Sequence, residues 1–144
     1  MKYIKDFNNF HAEKLAYVIF SRFDELFIQE QSNPQSTFDY MIDITKKGQQ
    51  TGRFFAVDVQ GTEKEDISDT LRKIDLGKYE NIKLPLILLI VNTIKDKSFF
   101  SWLIKPTENG KLTKISDTQI QMNELDNDKM KHLISDVTTW YDNK

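Results

Sequence analysis

The sequence predicts an α/β domain: a mixed sheet of about five strands flanked by helices. Three observations carry that prediction. The segment "LPLILLIVN", 84–92, is apolar on both parities, as a central strand covered on both faces is. Two strand-like segments, 37–45 and 53–60, precede it and are joined by a polar turn. Helical stripes stand near both ends of the chain.

Taken in order, "DFNNFHAEKLAYVIFSRFD", 6–24, reads as a helix. At 3.6 residues per turn, Leu15, Ala16, Ile19, Phe20 and Phe23 share one face, and Asp6 suits the N-cap. A short strand over 25–31 and an Asn-Pro loop over 31–36 follow. In "TFDYMIDIT", 37–45, Phe38, Tyr40, Ile42 and Ile44 face one way and Asp39, Met41 and Asp43 the other. "KKGQQTG", 46–52, reads as a longish hairpin loop before the strand "RFFAVDVQ", 53–60.

Ile67, Leu71 and Ile74 at i, i+4, i+7 predict a helix over about 66–75, ended by Gly77. After the central strand, 99–106 is a further strand ended by Pro106, and 113–122 a last one. The tail, 126–142, carries a stripe of Met130, Leu133, Ile134, Val137, Trp140 and Tyr141, capped by Asp126 or Asn127. All five glycines fall at breaks, so local and global patterns agree on one domain over 1–144.

Composition narrows the function classes. With 144 residues, 39% hydrophobic and 29% charged, the chain is expected to fold around one core. Net charge is −2, so nucleic-acid binding would need a local basic patch. Cysteine is absent, which excludes disulfides and thiolate metal sites and fits a cytoplasmic protein. The longest apolar run, 84–91, is too short to span a bilayer, and the first residues lack a signal-peptide core, so no membrane role is expected. No Gly-rich phosphate loop, zinc pattern or Ser/His/Asp arrangement is present.

The chemistry-bearing candidates are acidic. Asp39 and Asp43 share a strand face, and Asp58 interrupts the apolar run Phe54–Val59. If the hairpin pairs about residue 49, Asp43 comes close to opposite Asp58. Facing carboxylates repel unless a cation lies between them, and Mg²⁺ takes one or two carboxylates with water and phosphate oxygens. Glu13 lies at the border of the helix's apolar face. Each acid also has a plainer reading: the wet side of a half-exposed strand for Asp39 and Asp43, an edge charge for Asp58, a surface charge for Glu13. His11 and His132 are expected at the surface, Lys46, Lys47 and Arg53 in a solvated turn, and "FFSW", 99–102, in the core.

A helix with Glu13, then "DYMID", 39–43, then "DVQGT", 58–62, then a helix and a Pro-led apolar strand resembles the PD-(D/E)XK restriction-endonuclease-like superfamily. It is most similar to small bacterial domains of unassigned function with a D-x-G-I-D … Q-x-K-G-T pattern. The resemblance covers about residues 6–104. It implies Asp43, Asp58 and Glu13 as metal ligands, Mg²⁺ as the cofactor and phosphodiester hydrolysis as the ancestral reaction, with DNA among the substrates. Gln60 stands where the family has its lysine and Met41 where the small domains have glycine. Gln donates hydrogen bonds but carries no charge, so the implied site (Asp43, Asp58, Gln60, Glu13) is expected to be weak or inactive unless Lys64 or Lys73 substitutes. The alternative is a non-catalytic module that binds a protein or a nucleic acid.

Overall fold

A computed structural model describes the backbone of residues 2–31 and 37–144 and the side chains of 9–31 and 37–144. The chain runs α1 (Lys2–Ser21), β1 (Leu26–Glu30), β2 (Tyr40–Lys46), β3 (Gln49–Thr62), α2 (Ser68–Arg72), a 3-10 turn (Leu76–Tyr79), β4 (Leu86–Asn92), β5 (Lys97–Pro106), β6 (Leu112–Lys114), β7 (Asn123–Glu124) and α3 (Asn127–Asn143), with a second 3-10 turn at Asp117–Gln119. The sheet order is β1-β2-β3-β4-β5-β6, with β7 also on β5. Every pairing is antiparallel except β3 with β4, which is parallel. That one parallel junction needs a crossover, and residues 63–85 supply it. The α/β class and the mixed sheet hold, with six to seven strands instead of about five. Among the described residues, no helix is long and apolar enough to cross a membrane.

Each face of the sheet has its own core. β4 is buried at all seven positions, because its odd residues Ile87, Leu89 and Val91 enter one core and its even residues Leu86, Leu88 and Ile90 the other. On the first face lie α1, through Ala12, Ala16 and Phe20, and α3, through Met130, Leu133 and Val137. On the second lie the crossover residues Ile67, Leu71, Ile74 and Tyr79. Phe100 and Trp102 of β5 pack against the first core, as expected of the aromatic run.

Four expectations from the sequence need correction. α1 begins at Lys2, before the Asp6 cap, whose side chain lies outside the described residues, as does the 31–36 loop beyond Gln31. The predicted 66–75 helix is shorter, and Gly77 lies inside a 3-10 turn started by Asp75, whose carboxylate accepts the Gly77 N–H at 3.0 Å. The predicted strand over 113–122 ends at Lys114, and at Ser116 a reciprocal bond with Gln119 begins the second 3-10 turn. The hairpin loop is two residues, Lys47 and Gly48, with φ of 51° and 76°, so β3 runs back to Gln49. Two residues with positive φ make the turn whose twist suits a hairpin. α3, by contrast, is as predicted, and Asp126 accepts the Lys129 N–H at 2.8 Å.

β3 extends past the start of β4, since Ala56 pairs with Leu86. Phe54 therefore turns its N–H and C=O toward an edge without a strand. Tyr141 of α3 covers it: its hydroxyl accepts the Phe54 N–H at 2.9 Å and donates to the Phe54 carbonyl at 2.8 Å. Arg53 adds an ion pair to Asp142 at 2.6 Å.

Candidate active site

Val57 and Val59 enter the first core, so the alternation of β3 turns Asp58 to the second face. There it is 4% exposed. Two neighbours from the 3-10 turn meet one of its oxygens. The Tyr79 hydroxyl donates to Asp58 Oδ2, and Lys78 Nζ lies 3.0 Å from the same atom. The Tyr79 ring is buried in the second core, which fixes its hydroxyl over the acid. Lys78 keeps 40% of its side chain exposed.

The register decides which acid meets Asp58. Tyr40 pairs with Val57 and Asp43 with Phe54, so the next rung outward brings Asp39 alongside Asp58. Asp43, expected opposite Asp58, is four residues away along β2, about 13 Å at strand rise. The short turn sets this register, and the bulge between Ile44 and Thr45 moves it two residues back toward Asp58 without reaching it.

Asp39 sits where β2 ends and β3 continues. Its Oδ2 accepts the Val59 N–H at 2.7 Å, replacing the missing ladder bond, and Asn9 of α1 does the same for Gly61 at 3.1 Å. From this position Asp39 is within hydrogen-bonding reach of both Glu13 and Asp58. Tyr40 holds the helix side of the contact, donating to the Glu13 carbonyl oxygen at 2.6 Å. The acids thus form a row, Glu13–Asp39–Asp58, with Asp39 in the middle.

Burial and mutual proximity make the row reluctant to ionise. Desolvation first, then Glu13, raises the Asp39 carboxyl from 3.8 to about 7, against the bonds from Asp58 and Val59. Desolvation first, then Asp39, raises Asp58 to about 6, against Tyr79 and Lys78. Burial and the adjacent Asp58 raise the Tyr79 phenol, so it stays a donor.

Asp43 has different company. It is fully buried, and its Oδ1 accepts the N–H groups of Thr51 at 3.3 Å and Gly52 at 3.1 Å. These are the residues of the bulge, and Gly52 has φ of +76°. Asp43 satisfies backbone donors that the bulge removes from the ladder.

Gln60 is half-buried two positions beyond Asp58 on the same face, opposite Ile90. Of the two lysines expected to substitute for the motif lysine, Lys64 pairs with Asp69 at 3.2 Å and Lys73 is exposed. The cation beside Asp58 is Lys78. Neither Lys78 nor Tyr79 carried a sequence signal, because their contacts with Asp58 depend on how the crossover lies on the sheet. For Asp39 the Lys47-Gly48 turn alone would set it opposite Ala56, and the bulge, which carried no sequence signal, moves it beside Asp58. His11 and His132 are exposed, as expected.

The donor set suits a hard cation in one respect. Asp39 and Asp58 offer two carboxylates whose repulsion a divalent ion would relieve, and Mg²⁺ ordinarily takes one or two. Among the described residues, no three His, Cys, Asp or Glu side chains are grouped as a ready-made metal site. Glu13 reaches Asp39, the middle acid of the row. Compared with family models, curated proteins and solved structures, the chain matches none.

Proposed function

We propose that the chain is a nuclease-like domain of the PD-(D/E)XK type, built around a divalent-cation site and weak in cleavage. One observation carries this reading: Asp39 and Asp58, from adjacent strand ends, crowd into one partly buried site beside the ammonium of Lys78. The order α1, β-strands, α2, β4 also agrees with the resemblance, as does Asp58-x-Gln60 at the end of β3.

In this reading Asp39 and Asp58 hold Mg²⁺, and Glu13 supports Asp39 from the helix. Asp43 is set aside as a ligand, since its carboxylate is committed to the bulge. The ion would supply charge neutralisation at a phosphate and a polarised water. Tyr79 orients Asp58. Lys78 supplies a positive charge at ion-pair distance from Asp58. Gln60 contributes a hydrogen bond without charge, and loss of one such electrostatic contact typically costs on the order of 10²–10³ in rate.

The test is a melting curve with Mg²⁺ or Mn²⁺, followed by cleavage of single- and double-stranded DNA and RNA. Metal raises the melting temperature of the wild type, and Asp58→Asn abolishes the rise. Cleavage is slow or undetectable in the wild type and increases in Gln60→Lys. No metal effect at millimolar concentration, with no cleavage by either protein, overturns the proposal.

The burial of Asp58 beneath Tyr79 favours a second reading, a module that keeps the fold and binds a protein or nucleic acid without cutting it. Metal binding without cleavage in the wild type or in Gln60→Lys would select it.

A further inference from the structure

We infer that Lys78 is an exchangeable counter-ion for the acidic site: its ammonium occupies Asp58 when no divalent ion is bound and must leave for one to enter. The inference rests on the cation-site reading above and adds how that site is regulated.

Two donors share Asp58 Oδ2, but they are anchored differently. The Tyr79 ring is buried among Ala56, Leu86 and Leu88, so its hydroxyl cannot withdraw without opening the second core. Lys78 is held by nothing comparable. Its side chain is 40% exposed, and its other contact is with the Tyr79 ring, whose centroid lies 5.0 Å from Nζ, a weak contact at a half-exposed site. The turn itself is fixed by Asp75 at one end and Tyr79 at the other. The lysine arm can therefore swing away while the backbone stays in place.

The charge balance points the same way. Asp39 and Asp58 face one another with a single ammonium beside them, and that ammonium meets Asp58 alone at ion-pair distance. A divalent ion between the two acids would answer both, and it would repel Lys78 at close range. Lys78 thus sets the metal concentration at which the site fills.

Calorimetric titration with Mn²⁺ tests this on the wild type, Lys78→Met, Lys78→Arg and Asp58→Asn. Lys78→Met is expected to bind on the order of tenfold more tightly than wild type, Lys78→Arg no more tightly than wild type, and Asp58→Asn not at all. In the wild type, Mg²⁺ should also shift the amide resonances of residues 77–79, a readout independent of activity. If the wild type binds Mn²⁺ and Lys78→Met binds it equally or more weakly, the counter-ion role is wrong and the cation site stands. If neither protein binds Mn²⁺, both are wrong. Lys78→Gln serves as a second variant should the methionine impair folding.

Discussion

The β2–β3 hairpin buries an aspartate at each end, and the two do opposite things. At the bulge end, Asp43 accepts backbone N–H groups from Thr51 and Gly52 and is fully buried. At the other end, Asp58 faces Asp39, a tyrosine hydroxyl and a lysine. Burial and an apolar strand context are common to both and do not separate them. The partners do. Backbone donors tie Asp43 to the bulge that it supports. A neighbouring acid makes ionisation costly and leaves a demand that a proton or a cation can meet. A buried acid surrounded by N–H groups supports the fold, and one surrounded by other acids is a candidate for chemistry.

The largest effect that would break this contrast is at the bulge. Asp43→Ala removes the charged acceptor of the Thr51 and Gly52 N–H groups and leaves a gap at a fully buried position, and is expected to destabilise the chain by about 2–4 kcal/mol in denaturant unfolding, without altering any metal-dependent shift. A loss below about 0.5 kcal/mol would mean that the bulge does not depend on Asp43.

The next is pH. Asp39 and Asp58 titrate near 7 and 6 in the folded chain against 3.8 for an ordinary aspartate. Between about pH 4 and 7 the folded chain holds more protons than the unfolded one, so this contribution to stability is fully present below pH 4 and lost as pH rises through 6 and 7. The loss is read as a fall in melting temperature across that window. Asp58→Asn should remove the part lost near pH 6 and leave the part near pH 7 that arises at Asp39, and Mg²⁺ should offset the wild-type loss at neutral pH. A flat wild-type profile would mean that burial and the neighbouring acid do not hold protons on Asp39 and Asp58.

The smallest effect sharpens the contrast from the bulge side. Tyr141→Phe removes the hydroxyl that serves the Phe54 N–H and C=O and should cost about 1–2 kcal/mol in the same unfolding experiment. Its pH profile should keep the wild-type slope, because that slope arises at the other end of the hairpin.

Much of the fold was legible because it rests on local patterns. The all-apolar 84–92 segment became β4, buried throughout, and the tail stripe became α3 with the cap that Asp126 suggested. The order of elements followed from these, although Gly52 and Gly61, expected at breaks, lie inside β3. The register did not, because a two-residue turn and a bulge offset each other and sequence spacing alone does not reveal either. That single uncertainty moved the acid pair from Asp43–Asp58 to Asp39–Asp58. Tyr79 and Lys78 were illegible for another reason: they lie 21 and 20 residues from Asp58, and only packing on the second face brings them there.

The parallel β3–β4 junction has a consequence for the order of assembly. β1, β2 and β3 form a meander of short-range contacts, whereas β4 can join only after the 63–85 connection has closed. Asp39 and Asp58 are brought together by the meander, and Lys78 and Tyr79 arrive with the connection. The growing sheet therefore meets the acid–acid repulsion before it gains the groups that relieve it. Refolding in stopped flow should be faster at pH 5 than at pH 7.5, and Asp58→Asn should remove most of that difference. Tyr79→Phe, which touches only the late contact, should act mainly on the unfolding rate.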